Sequence, residues 1–207
     1  MTAIYHITHI RNLASILQDG RLWCDSERIR RQIISVGIAH EHIKQRRARR
    51  IVPNCRGGVL ADYVPFYFAP RSPMLYTIHK GNVAGYSEGQ TPVLHLVSSV
   101  ENVVENALPF TFSNGHAEMA TAQFFELTED LDKIDWAVMR SGWWNDTDSN
   151  SNRKWKRQAE FLVHHSFPVP LFDEIGVISQ AVAAEVEQIL TSVGRTMSVI
   201  PRPNWYY

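Results

Sequence analysis

Cysteine is scarce in this chain of 207 residues, which has only Cys24 and Cys55. Two cysteines make no disulfide framework, and neither they nor the nine histidines fall at spacings typical of a zinc site, so we expect no metal. Long apolar runs are also missing, since none approaches the roughly 20 residues that a membrane span needs. The N-terminal segment lacks the basic-then-apolar pattern of a secretion signal. We therefore expect a soluble protein of the cytoplasm.

Several motifs of nucleotide-binding and hydrolytic enzymes are absent as well. The chain has no GxGxxG dinucleotide loop, no GxxxxGK phosphate loop and no GxSxG nucleophile elbow. These absences argue against a Rossmann-type dehydrogenase, a P-loop enzyme and an α/β-hydrolase. No linker, repeat or low-complexity tract interrupts the chain, so we expect a single domain over residues 1–207.

Net charge is zero, yet the charges are segregated along the chain. Residues 28–56 hold nine Arg or Lys and one acid, whereas residues 126–135 hold five acids and one Lys. A neutral total can therefore hide a basic face that binds phosphates, although a charge run alone more often indicates a solvated helix surface.

Strand and helix patterns mix without a regular βαβ rhythm, which predicts an α+β fold. AIYHIT reads as a first strand, followed by a helix that Gly20 ends. ADYVPFYFAP reads as a strand in which Pro65 favours an edge, a bulge or a late start. A helix follows from Ser72, TFSNGHAEMATAQFFEL predicts a turn and then a helix, and QAEFLVHHSFP predicts a strand. EIGVISQ predicts a strand leading to a helix capped near Ser179.

Four segments combine residue types that suit catalysis on a nucleotide: YHIT, FYFAPRSPMLY, QAEFLV and the basic KQRRARR. Each has a plain structural explanation when taken singly. A strand histidine such as His6 is more often a satisfied structural residue, and Tyr67 and Tyr76 suit a core. Glu160 could be a surface acid on an edge strand. Their order along the chain changes this assessment.

The order His-x-Thr on a first strand, Tyr near a second strand and Glu on a late strand resembles the ADP-ribosyltransferase superfamily. ADYVPFYFAPRSPMLY, FSNGHA, IDW and QAEFLV are similar to the DarT family, the DNA ADP-ribosyltransferase toxins of DarT–DarG toxin–antitoxin systems. The resemblance implies a split mixed β-sheet with a central NAD cleft and flanking helices. It also implies transfer of ADP-ribose from NAD to a base of single-stranded DNA, with release of nicotinamide. The basic segment favours thymidine N3 as the acceptor, with guanine as the alternative.

The same resemblance implies roles for individual residues. Glu160 is expected to be catalytic, because a carboxylate stabilises the positive charge that develops on the ribose. Arg47, with Arg46 close behind and Arg49 and Arg50 as further choices, is expected to stabilise the thymine anion and the NAD phosphates. The expected NAD-binding residues are His6, Ile7, Thr8, Gly20, Arg47, Tyr67 and Tyr76, where Tyr67 and Tyr76 compete to stack on nicotinamide.

The basic stretch before Glu160 is expected to hold the DNA. Lysines and arginines there suit phosphates, and tryptophans suit unpaired bases. The expected DNA-binding residues are Arg46, Arg71, Ser72, Met74, His116, Trp143, Trp144, Lys154, Trp155, Lys156 and Arg157.

The resemblance further implies a macrodomain antitoxin of the DarG type as partner, and a monomer. Three alternatives stay open from the residues: an RNA-directed enzyme like the tRNA 2′-phosphotransferases, an NAD glycohydrolase, and a nucleic-acid-binding module without catalysis. Transfer of label from NAD to RNA would favour the first alternative, and consumption of NAD without any oligonucleotide would favour the second. Activity that is unchanged by substitution of Glu160 would favour the third.

Overall fold

The computed structural model describes residues 1–207 as an α+β fold around one large sheet. The strands are β1 Ala3–His9, β2 Arg21–Trp23, β3 Tyr63–Tyr67, β4 Val93–Ser99, β5 Phe110–His116, β6 Phe124–Phe125, β7 Ala159–His164, β8 Ser166–Pro168, β9 Glu174–Val177 and β10 Val199–Pro201. The helices are α1 Leu13–Asp19, α2 Asp25–Arg30, α3 Glu41–Arg47, α4 Pro73–His79, α5 Val100–Glu105, α6 Trp136–Arg140, α7 Arg153–Lys156 and α8 Gln180–Ser192. No helix is both long enough and apolar enough to cross a bilayer.

Eight strands form the main sheet in the order β10-β9-β4-β1-β3-β7-β5-β6, and β2 pairs with β8 separately. The sheet is mixed, because β10 runs parallel to β9 while the other pairs are antiparallel. Strands β1 and β3 are in register only at Tyr5 and Tyr67, although each is paired along its length on its other side. The sheet therefore splits between β1 and β3, as the family resemblance implied.

Pro65 lies in the middle of β3, so the expectation of an edge strand or a late start is wrong. Proline lacks the N–H that a central strand normally donates. Here the cost is avoided because β1 and β3 diverge beside Pro65. The carbonyl of Pro65 instead accepts a hydrogen bond from Nδ1 of His6 at 2.8 Å.

The helix expected within TFSNGHAEMATAQFFEL is absent, and that prediction is wrong. Its first residues belong to β5, and its end forms β6 after a turn. Hydrogen bonds from side chains to backbone carbonyls favour the extended form. The hydroxyl of Thr111 donates to the carbonyl of Phe125 at 2.9 Å, and the hydroxyl of Ser113 donates to that of Gly115 at 2.7 Å. The alanines and Met119 between the two strands have good helix propensity, but tertiary context overrides it.

Helix ends follow the expected local signals. The side chain of Ser72 accepts a hydrogen bond from Leu75 N at 3.1 Å at the start of α4, and Ser179 caps α8 in the same way. Gly20 ends α1 with φ of +69°. Its amide donates to Leu17 O at 3.3 Å, which closes the last turn.

Gly20→Ala tests the requirement for a left-handed residue at this helix end. A Cβ on Gly20 meets no atom within 4 Å, so any cost comes from the backbone conformation alone. We expect the free energy of unfolding, measured in urea, to fall by about 1 kcal/mol. Gly142→Ala is the matched control, since that site is equally open and has no positive φ. An equal effect of both substitutions would contradict the explanation.

Candidate active site

The split in the sheet opens into a cavity of about 330 Å³. One wall comes from β1, β3 and β7, and includes His6, Tyr67 and Glu160. The opposite wall comes from residues 33–40 and from the inner face of α3. Most of the side chains expected to bind NAD therefore meet at one place.

Glu160 and Arg47 form an ion pair in this cavity. Nη1 of Arg47 donates to Oε2 of Glu160 at 2.7 Å, and their side chains are only 11% and 6% exposed. Glu160 is the second residue of β7 and lies opposite Tyr67 of β3. Burial opposes the charge of Arg47, but the carboxylate outweighs it and raises the pKa of this guanidinium above its ordinary value. The arginine therefore stays protonated.

His6 is held as a neutral ring with a defined tautomer. Nδ1 faces the carbonyl of Pro65, which only accepts, so Nδ1 carries the proton. Burial lowers the pKa of His6 below its ordinary value, although the bond to Pro65 works in the opposite direction. Nε2 is consequently a hydrogen-bond acceptor in a side chain that lines the cavity.

Tyr67 lies in the cavity and Tyr76 does not. Burial, reinforced by the negative charge of Glu160, raises the pKa of Tyr67 far above its ordinary value, so its phenol stays protonated. Tyr76 is 38% exposed on α4 and packs edge-on against Trp144 and Tyr207. Of the two tyrosines expected to compete for nicotinamide, the geometry therefore favours Tyr67.

The remaining expected NAD-binding residues divide in the same way. Ile7 and Thr8 line the cavity next to His6. Gly20 is not among the cavity-lining residues and instead closes helix α1, so the expectation that its backbone approaches NAD has no geometric support.

His116 stands beside the ion pair. Its Nδ1 is 4.0 Å from Oε1 of Glu160, and its Nε2 is 3.8 Å from Oε2 of Glu118. Glu118 also pairs with Arg46, so Arg46 is already neutralised by a carboxylate other than Glu160. Arg50 donates to the carbonyls of Ala117 and Met119 at 3.3 and 3.2 Å. Only Arg47 of the basic segment reaches Glu160.

No group of three or more His, Cys, Asp or Glu side chains is arranged to hold a metal ion.

The family assignment comes from comparison with known proteins. The model of the family described as "ssDNA thymidine ADP-ribosyltransferase, DarT" matches residues 5–207. A DNA ADP-ribosyl transferase of Thermus sp. (strain 2.9) is 46% identical over 208 residues, which cover 100% of this chain and 96% of that protein. The chain belongs to the DarT family.

Solved DarT structures match the fold closely. Thermus sp. 2.9 DarT in complex with ADP-ribosylated single-stranded DNA matches with a TM-score of 0.92 at 45% identity, covering 100% of this chain and 96% of that one. The same protein in complex with NAD⁺ gives 0.89 at 43%, with 100% and 98% covered. A DNA ADP-ribosyl transferase–DNA ADP-ribosyl glycohydrolase fusion protein of Thermosipho africanus is 26% identical, over 99% of this chain and 49% of that protein.

The basic stretch before Glu160 is mainly structural in this DarT chain. Arg157 is 4% exposed, and its guanidinium donates to the carbonyls of Val138 and Met139 at 2.7 and 2.6 Å and to those of Arg71 and Ser141. The prediction that Arg157 grips DNA therefore conflicts with its geometry, because four carbonyls already occupy its guanidinium.

Other members of this stretch are similarly engaged. Lys156 pairs with Asp135 at 2.9 Å. The indole of Trp155 packs against Gly115, where a Cβ would overlap the ring, so Trp155 is not free to stack on a base. Lys154 is the exposed cation of this stretch.

The expected DNA-binding residues outside this stretch lie in different environments. Met74 lines the cavity, and Ser72 is buried as the cap of α4. Arg71 stacks over Tyr207 at 4.4 Å. Trp143 is 56% exposed, whereas Trp144 donates from its indole to the hydroxyl of Tyr207 at 3.2 Å. The structure thus leaves Trp143, Lys154 and Met74 accessible to a strand.

Sequence reasoning missed Asn12, which organises the opposite wall. Its side chain donates to Val36 O at 3.0 Å and accepts from Val36 N at 2.7 Å, and it also donates to the hydroxyl of Thr8 at 3.2 Å. A single asparagine carries no local signal for such a contact. Gln158, two residues before Glu160, also lines the cavity. It is the first residue of the QAEFLV segment, but no role was predicted for it.

Arg157→Lys tests whether this residue is a structural link. Lysine cannot reproduce the fork that reaches four carbonyls, and it leaves buried acceptors unsatisfied. We expect the free energy of unfolding in urea to fall by about 2–4 kcal/mol. Lys154→Met, which changes an exposed lysine, is the control. We expect it to change the free energy of unfolding by no more than about 0.5 kcal/mol. Unchanged stability of Arg157→Lys together with weakened DNA binding would restore the phosphate role.

Proposed function

We propose that this chain is an enzyme that transfers ADP-ribose from NAD to thymidine, at N3, in single-stranded DNA and releases nicotinamide. One observation carries the proposal: a buried Arg47–Glu160 ion pair, with its atoms 2.7 Å apart, faces the cavity in the split sheet of a DarT-family chain. The activity of the matching family and the Thermus sp. 2.9 complexes with NAD⁺ and ADP-ribosylated DNA support the same reaction.

Glu160 is proposed to act on the ribose next to nicotinamide. When the bond between this ribose and nicotinamide breaks, positive charge develops on the sugar. A fixed carboxylate stabilises this charge, and it does so strongly in a site from which water is largely removed. The hydrogen bond from Arg47 holds the carboxylate in a fixed orientation in the absence of substrate.

Arg47 is proposed to stabilise the acceptor as an anion. Thymine N3 carries a proton with a pKa above neutrality, and attack on the sugar requires loss of that proton. The raised pKa of Arg47 makes this side chain a poor proton acceptor. Its positive charge instead favours the deprotonated thymine, whose N3 proton passes to solvent water. The bond from N3 to the ribose carbon then forms as the bond from that carbon to nicotinamide breaks, and nicotinamide is released.

His6, Thr8 and Tyr67 are proposed to hold NAD. The unprotonated Nε2 of His6 can accept a hydrogen bond from a ribose hydroxyl. Tyr67 presents a neutral aromatic ring at the side of Glu160, which suits contact with nicotinamide. A single strand is the expected substrate because N3 of thymine is engaged in pairing within a duplex.

The wider setting follows from this chemistry. Modified thymidine would block replication, so the protein acts as a toxin and needs an antitoxin that removes ADP-ribose. The Thermosipho africanus fusion protein, which joins a DNA ADP-ribosyl transferase to a DNA ADP-ribosyl glycohydrolase, supports a macrodomain partner of the DarG type. We propose that the chain is one domain over residues 1–207 and works as a cytoplasmic monomer.

Glu160→Gln tests the reaction directly. Wild type and variant are incubated with NAD labelled on its adenylate and with oligonucleotides that contain or lack thymidine or guanosine, together with matched RNA. We expect label only on thymidine-containing DNA, and a rate about 10²–10³-fold lower in the variant because the fixed charge is lost.

Glu129→Gln removes an exposed carboxylate and serves as the control, with no expected loss. Label that followed guanosine would change the acceptor, and label on RNA would favour the phosphotransferase-like alternative. NAD consumption without transfer to any strand would contradict the proposal and leave a glycohydrolase.

The protonation of His6 predicts how NAD binding depends on pH. Because the pKa of His6 is lowered below 6.5 in the folded chain, the ring stays neutral at and above that pH. The Kd for NAD should be flat from about pH 8 to about pH 6.5, and should rise in more acidic solution as Nε2 gains a proton. Titration calorimetry across this range measures it. His6→Gln should lack the acidic rise, and an identical rise in that variant would exclude His6 as its source.

A further inference from the structure

Four cations line the cavity, and three of them already have partners in the chain. Arg47 is bound to Glu160. Arg28 donates to Asp25 at 3.3 Å and to Ile33 O at 3.4 Å, and Arg21 donates to the hydroxyl of Ser166 at 3.0 Å. The fourth, Lys44, is half-buried and its ammonium has neither a hydrogen bond nor an ion pair within the protein. Its charge is therefore available to a ligand.

Helix α3 and Gly37 together determine where this ammonium lies. Lys44 and Arg47 are three residues apart on α3, so they share the face that lines the cavity. A Cβ at position 37 would lie 3.0 Å from Nζ of Lys44. The absence of a side chain on Gly37 thus leaves the space into which the lysine extends.

Asn12 keeps the backbone beside this space in place. It bonds both the N–H and the carbonyl of Val36, the residue before Gly37, at 2.7 and 3.0 Å. The same amide reaches Thr8 on β1, next to His6 and Ile7. The position of Gly37, and with it that of the ammonium, is therefore tied to the strand that carries the proposed ribose-binding residues.

We propose that Lys44 binds the diphosphate of NAD, an assignment that rests on the proposed function. A diphosphate is the anionic part of NAD, and a flexible ammonium is a suitable point charge for its oxygens. Arg47, which was expected to bind the phosphates as well as thymine, is engaged with Glu160. The two cations of α3 that line the cavity thus have separate roles. Arg47 faces the reacting groups, and Lys44 binds the phosphates of the cofactor.

Binding of ADP and of adenosine, measured by calorimetry, tests this division. Only ADP carries the diphosphate. Lys44→Gln should weaken ADP by roughly 10–100-fold, since it removes a hydrogen-bonded charge, and should leave adenosine unchanged. Lys44→Arg should retain most of the affinity. Lys133→Gln, which changes an exposed lysine outside the cavity, is the control. Equal losses for both ligands, or no loss for ADP, would overturn the proposal.

Salt dependence gives a second readout. The Kd for NAD should rise more steeply with ionic strength in the wild type than in Lys44→Gln, because the screened contact is missing from the variant. Identical slopes would also overturn the proposal. Both measurements record binding alone, so a wild-type chain that failed to label DNA would refute the proposed acceptor without affecting this comparison.

Discussion

The buried ion pair between Arg47 and Glu160 is the contact on which the site depends. It joins residues 113 positions apart and connects α3 to β7 at the cavity. Removing either partner leaves an uncompensated charge in a mostly buried place, which typically costs about 3–5 kcal/mol. A pair of this kind is weak evidence for stability, since two apolar residues could pack as well. Its presence at the cavity therefore indicates a functional reason for keeping both charges.

The split in the sheet makes room for that pair. Pro65 cannot donate toward β1, and His6 uses the resulting gap to reach the Pro65 carbonyl. One proline thereby explains the tautomer of His6 and the parting of two central strands. Arg157 in turn links four carbonyls, from α6, from the residue after it and from the segment before α4, so the loop that precedes Glu160 has a fixed start and end.

The sequence predicted features that depend on neighbours in the chain. Gly20, Ser72 and Ser179 mark helix ends through local geometry, and all three were recognised. Strand β5 was misjudged because its pairing with β7 depends on distant residues, while the alanines after it suggest a helix. The α+β architecture followed from the mixture of strand and helix patterns, and the split sheet followed from the family resemblance; the structure confirms both.

In the candidate site, too, contacts between distant residues could not be predicted from the sequence. Resemblance singled out Glu160 and Arg47, but no spacing in the sequence reveals that they touch. The stretch RKWKR suggested a phosphate-binding patch, whereas Arg157, Lys156 and Trp155 are engaged with carbonyls, a carboxylate and Gly115. Those partners lie on other elements, so composition alone could not distinguish structural cations from free ones. Lys44 differs from the other cavity-lining cations in having no partner within the protein, and the sequence does not show this difference.

The most direct test is a crystal structure of Glu160→Gln with NAD and a thymidine oligonucleotide, frozen soon after soaking, because this variant consumes its two substrates far more slowly. We expect the substituted amide side chain at position 160 to contact the ribose next to nicotinamide, and Arg47 to face the thymine ring near N3. A nicotinamide end bound away from position 160, or a thymine on the opposite side of the cavity from Arg47, would contradict the proposed roles of both residues.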